Sequence, residues 1–208
     1  MGKLPVPVLS YNAIAREANN FLHQHHPSGT IPVPIEEIID LKLKLDIFPM
    51  PGLLKSIDID GFTTSDLKCI CVDEFVYSSR PTRYRFTLAH ELGHIVLHQK
   101  VFALAKFRTV AEWKRFYKNI PEEDRGWLEY QAYAFGGLVL VPSTALRQEF
   151  EKCVTTVKKK GGALLKDAEV TQYFVEDCLA DVFQVSREVI SKRLVKDGLD
   201  RQIPGARK

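Results

Sequence analysis

The chain has 208 residues, enough for one core of ordinary size with a small appendage and too few for two full enzyme domains. Hydrophobic residues make up 45% and charged residues 26%, the balance of a soluble globular protein rather than of a disordered, fibrous or membrane-embedded one. The net charge of +3 is slight and dispersed apart from Lys158-Lys159-Lys160, which reads as a solvated turn, so composition makes no demand for a nucleic-acid partner.

The opening residues MGKLPVPVLSYN hold two prolines and no apolar run of the length a secretory leader needs, so export is not expected. The longest apolar stretch, Leu138 to Val141, falls far short of the roughly 20 residues that span a bilayer. Cys69, Cys71, Cys153 and Cys178 lack the dense framework of a small secreted domain, which points to a reducing cytoplasm without disulfides.

In chain order, Ile14, Ala18, Phe21 and Leu22 mark one stripe of a helix over about 11 to 22, and Pro34 opens a second through Ile39. Period-two alternation over 43–48, 53–62 and 67–72, broken by Gly52 and by Thr63 to Asp66, predicts strands, the last two as a hairpin. Ser79 and Pro81 open a helix running through His98, an amphipathic helix is expected within 101–120, and Pro121-Glu122-Glu123-Asp124 opens another to about Phe135. Ser143-Thr144 caps a helix ending near the lysine run, and Gly161-Gly162 reads as a hinge. Residues 168–199 then read as helix, tight turn and helix, capped by Ser186 and ended by Gly198. The fold class is α+β, with domains at 1–160 and a helix-turn-helix-like segment at 161–208 packed on it.

The chemistry concentrates at His90-Glu91-Leu92-Gly93-His94. Four residues apart on a helix, His90 and His94 stand one turn above each other, with Cβ atoms about 6 Å apart, and can share one zinc ion. Glu91 is turned to the side of that pair, where its carboxylate reaches the attacking water rather than the metal, as a general base requires. Gly93, costly inside a helix, indicates that another backbone or a substrate comes close. A hydrolytic site wants a third protein ligand and one open position, and Glu129 is the candidate, on the stripe of Ala132 and Phe135 where a carboxylate is otherwise expensive to bury. His98 lies too far along the axis to share the ion and reads as a residue packed behind the ligands. Cys69 and Cys71 could offer a thiolate but read as core. Tyr133, one turn beyond Glu129, is a candidate for orienting a ligand or donating to the oxyanion.

Arg85 to His94, Glu129-Tyr130-Gln131-Ala132-Tyr133-Ala134-Phe135 and the turn at Pro142 resemble the ImmA/IrrE family of metallo-endopeptidases. The likeness extends more loosely to the amino-terminal helices, to Cys69 through Asp73 and to Leu179 through Leu194. It implies a zincin-like fold: a small mixed or antiparallel sheet packed on the HExxH helix and a second ligand helix. It further implies one Zn2+ per chain held by His90, His94 and Glu129, with Glu91 as catalytic acid/base. It also implies a cytoplasmic regulator that relieves repression by cleaving a partner repressor with a helix-turn-helix DNA-binding domain. Tyr133, Gly136-Gly137 and the length of 99–125 depart from the family's usual pattern. The rival reading is a zinc-bound regulatory or toxin/antitoxin component that binds its partner without cutting it. Direct DNA binding through residues 179–194 is not expected, because the second helix offers only Arg187, Lys192 and Arg193.

Overall fold

The computed structural model describes residues 4–161 and 167–204, the side chain of Lys160 apart. Helix α1 (Tyr11–His25) starts where Ser10 Oγ accepts the Ala13 amide, and it buries the expected stripe of Ile14, Ala18, Phe21 and Leu22. The helix expected after Pro34 is a single turn, α2 (Ile35–Glu37), that widens into a π-helical turn over Ile38–Lys42.

The sheet has three strands, β1 (Asp46–Met50), β2 (Gly61–Thr63) and β3 (Cys69–Asp73), in the order β1-β3-β2. β1 runs parallel to β3, and β2 pairs antiparallel with it as the expected hairpin. Residues 53–57, expected within a strand, instead form the short helix α3 (Leu53–Ile57). Leu53, Ile57 and Ile59 fit period two, but Leu53 and Ile57 are equally one helical turn apart. The choice is made from outside the segment: Asp73 Oδ2 accepts the Leu54 amide at 2.9 Å, and Asp58 ends the helix with φ of 55°. Asp73 Oδ1 also caps α4 (Glu74–Ser79), a helix with no counterpart among the elements expected from sequence. Ser79 therefore closes α4, and Pro81 alone opens α5 (Pro81–Leu97) at its first position.

The region 99–120 divides into α6 (Gln99–Phe102) and α7 (Val110–Asn119), the latter opened by a reciprocal capping box between Thr109 and Glu112. Helix α8 (Glu122–Leu140) runs a turn and more past the expected end at Phe135, because every residue from Ala134 to Leu140 is buried and packing overrides the cost of Gly136 and Gly137. Helix α9 (Ser143–Lys160) follows and ends at Gly161, whose φ is 55°; Gly162, the other half of the expected hinge, lies outside the described residues. The carboxyl-terminal pair is α10 (Ala168–Phe183) and α11 (Arg187–Asp197), with Ser186 accepting from Val189 and Gly198 left-handed at φ 67°, as the sequence indicates.

One hydrophobic cluster joins Ile14, Ile38, Ile70, Leu88, Phe135, Leu179 and Ile190, so the carboxyl-terminal helices share a core with the helices of the HExxH segment. A smaller cluster of Phe62, Trp113 and Leu128 lies under α7. At the centre α5 and α8 cross almost backbone to backbone: a Cβ on Gly136 would stand 3.1 Å from Ala89 C and His90 N. That approach brings the face of α8 carrying Glu129 against the face of α5 carrying His90 and His94. No helix among the described residues is long and apolar enough to cross a membrane.

Candidate metal centre

The crossing of α5 and α8 builds a cleft of about 320 Å³, bordered by β2 and roofed by α7. Gly61, Thr63, His90, Glu91, Tyr117 and Glu129 are among its lining residues. His90 Nε2 and His94 Nε2 face each other at 3.2 Å. Glu129 reaches them from α8, Oε2 lying 3.1 Å from His90 Nε2 and Oε1 3.8 Å from His94 Nε2.

These separations suit a small ion. Tetrahedral bonds of about 2.0–2.1 Å hold ligand atoms about 3.3–3.4 Å apart, and two imidazoles with one carboxylate are the donor types zinc takes in sites that keep a position open. Glu91 also brings a carboxylate oxygen within 4.8 Å of both imidazoles. Its Oε2, however, accepts the Thr63 hydroxyl at 2.9 Å, whereas Glu129 Oε2 lies directly against His90. Of the two carboxylates, Glu129 therefore has the geometry of a third ligand and Glu91 that of a base beside the ion.

The electrostatics agree with that division. Burial drives the Glu91 carboxyl up to about 7, against the lowering effects of His90 and the Thr63 bond. Burial alone would raise Glu129 too, but the bond from His90, both imidazole charges and Tyr117 bring it down to about 2. His90 is opposed by burial yet raised overall by its carboxylate neighbours, chiefly Glu129. Burial lowers His94 well below the ordinary histidine range and His98 to about 4.

Tyr133 is not brought to this cleft. Its ring packs on Phe86 at 4.8 Å, Lys192 Nζ lies 4.3 Å from its centroid, and it lines a neighbouring cavity of about 580 Å³ with Tyr11, Tyr130 and Lys196. The tyrosine that touches the cluster is Tyr117, whose hydroxyl donates to Glu129 Oε1 at 3.0 Å. Its only sequence signal was membership of an amphipathic helix. Thr63 likewise shows in the sequence only as the start of a break between strands. His98 does sit behind the ligands, its Nδ1 lying 3.0 Å from His94 Nδ1. Cys69 is half-buried and Cys71 buried, and burial pushes the Cys71 thiol up to about 12, which favours the neutral core residue over a thiolate.

β3 is flanked on both sides, so Cys69 to Asp73 cannot accept a further strand, whereas β2 pairs on one side only among the described residues and lines the cleft.

Residues 41–195 match the peptidase M78 family, described as the IrrE N-terminal-like domain. No curated protein and no solved structure matches the chain.

Proposed function

Because the chain belongs to the IrrE N-terminal-like peptidase family, a metallopeptidase family, we propose that it is a zincin-like zinc endopeptidase that cleaves a partner repressor carrying a helix-turn-helix domain and so relieves repression. The observation that carries the catalytic reading is the pairing of two carboxylates with different fates beside His90 and His94: Glu129 held ionised against the imidazoles and Glu91 buried and raised to about 7. One ion held by His90, His94 and Glu129 would supply Lewis acidity toward water and the scissile carbonyl.

Glu91 takes the proton of the attacking water and delivers it to the leaving amine nitrogen, a task suited to a carboxyl that exchanges protons near neutrality. Thr63 holds that carboxylate through its 2.9 Å bond, so the base points into the cleft rather than toward solvent. The edge of β2 at Gly61 to Thr63 that pairs with no strand among the described residues supports an extended substrate chain by main-chain hydrogen bonds, which give affinity with little sequence selectivity. Choice of partner then rests on a docking surface beyond the cleft.

The test is co-incubation of the zinc-loaded chain with candidate helix-turn-helix repressors, using Glu91→Gln and Glu129→Ala beside wild type. Glu91→Gln keeps zinc and partner binding and loses cleavage by the 10²–10⁴-fold typical of a missing general base. Glu129→Ala loses zinc. Equal relief of repression by wild type and Glu91→Gln, with no cleaved product from either, would establish a non-cleaving regulatory module instead.

A further inference from the structure

We propose that His98 and Gln131 are positioning residues that fix the tautomer of His94, placing its proton on Nδ1 and leaving Nε2 with a lone pair toward His90 and Glu129. The inference rests on the reading of His90, His94 and Glu129 as the metal ligands. Pro7 O lies 2.5 Å from Gln131 Nε2. A carbonyl has no proton to give, so the amide nitrogen must face it and the amide oxygen must point the other way. Gln131 Oε1 lies 3.2 Å from His98 Nε2 and, being an acceptor, requires an N–H there.

His98 is fully buried, and its ring nitrogens meet an amide oxygen and another imidazole, neither of them an anion. A buried imidazole without an acid partner is neutral and carries one ring proton. With that proton on Nε2, Nδ1 is bare. His94 Nδ1, 3.0 Å away, must then supply the proton of the His94–His98 bond, and the neutral His94 has a bare Nε2 on the side of the cleft.

The polarity of the chain cannot reverse, since its far end is a main-chain carbonyl. Each bond sets the next: Pro7 orients Gln131, Gln131 sets His98, and His98 sets His94. The second nitrogen of a metal-binding histidine commonly bonds a carboxylate or carbonyl, and that bond decides which nitrogen is free for the metal. Here another neutral histidine takes that place, and the amino-terminal segment before α1 becomes part of the support of the metal site.

The primary experiment needs no metal: ring-nitrogen NMR of the metal-free full chain, at a pH where the imidazoles are neutral. His94 is expected as the Nδ1–H form and His98 as the Nε2–H form. His94 found as Nε2–H would overturn the assignment. As a second measurement, Gln131→Leu removes the acceptor from His98 and is expected to weaken zinc binding about 10–100-fold, read by competition with a chromophoric chelator, with the helical circular dichroism retained. A folded Gln131→Leu chain with wild-type zinc affinity would also overturn it, and should that variant fail to fold, the wild-type spectrum still decides. Failure of the wild-type chain to bind zinc would instead remove the metal reading, and the metal-free spectrum separates that result from a failure of the relay.

Discussion

Tyr117 of α7 donates its hydroxyl to Glu129 Oε1 of α8 at 3.0 Å, while the other oxygen of the same carboxylate lies 3.1 Å from His90 Nε2. The phenol fixes the rotation of a carboxylate whose side chain is 38% exposed and would otherwise turn to solvent. Hydrogen bonds to a ligating carboxylate commonly contribute 10–100-fold in affinity or activity. Tyr117→Phe keeps the ring against Trp113 and removes only the donor. Its zinc affinity is expected to fall about tenfold with fold retained; unchanged affinity and unchanged turnover would assign Tyr117 to packing.

Acid should release the metal through one histidine. A ligand must be deprotonated to bind, so the group with the highest folded value is protonated first as pH falls. His94 is lowered by burial and is already neutral at pH 7, and Glu129, at about 2, stays ionised. His90 is raised by its carboxylate neighbours, so its protonated form persists to higher pH than that of an ordinary histidine. Zinc affinity measured from about pH 7 down to about pH 5 should therefore fall with a dependence of close to one proton. A two-proton dependence would mean that a second group, Glu91 at about 7 or His94, titrates with metal release.

Gly93 is where the sequence spoke most directly about packing. Its position inside a helix demanded a close neighbour, and the neighbour is the backbone of α8: an added Cβ would stand 2.9 Å from Ala132 Cα and 3.0 Å from Ala132 O. Backbone cannot yield as a side-chain tip can, so Gly93→Ala must part α5 from α8. The gain of about 1 kcal/mol in helix propensity is outweighed by overpacking, which costs about 1–3 kcal/mol. The melting temperature of the metal-free chain should drop by a few degrees, and an unchanged or raised value would show that the crossing can relax.

Much of the site was legible because a helix converts spacing into geometry: four residues place His90 under His94, and the stripe of Ala132 and Phe135 marks the buried side on which Glu129 lies. Contacts between segments distant in sequence leave no such trace. Nothing local to Thr63 or Tyr117 announces that each holds a carboxylate of the site, and the helix at Leu53–Ile57 depends on a carboxylate at Asp73, some twenty residues away. Residue spacing put Tyr133 one turn from Glu129, but the side chain lies against Phe86 and Lys192.

Tyr133→Phe is accordingly expected to leave zinc affinity and turnover unchanged, because its ring lines the neighbouring cavity and not the cleft. A tenfold loss of turnover with zinc retained would show that substrate binding draws this side chain to the reacting carbonyl.

The last prediction concerns DNA. A recognition helix needs cations free to meet phosphates and base edges, and α11 has four candidates, Arg187, Lys192, Arg193 and Lys196. Arg193 is only 4% exposed and is engaged by Asp197 at 2.7 Å and by Ser143 at 2.8 Å. Arg187 lies over the Tyr173 ring at 3.9 Å, Lys192 is paired with Glu188 at 2.7 Å while resting on Tyr133, and the exposed Lys196 lies over the Tyr11 and Tyr130 rings at 5.3 and 6.0 Å. Arg187 and Arg193 are held by their neighbours, Lys192 and Lys196 rest on tyrosine rings, and releasing the buried Arg193 would leave Asp197 unpaired and open the core that α11 shares with α8. Fluorescence anisotropy with labelled duplexes at physiological salt should therefore show no binding tighter than the micromolar range and little dependence on salt. Nanomolar binding whose affinity falls steeply with added salt would make α11 a DNA-reading helix.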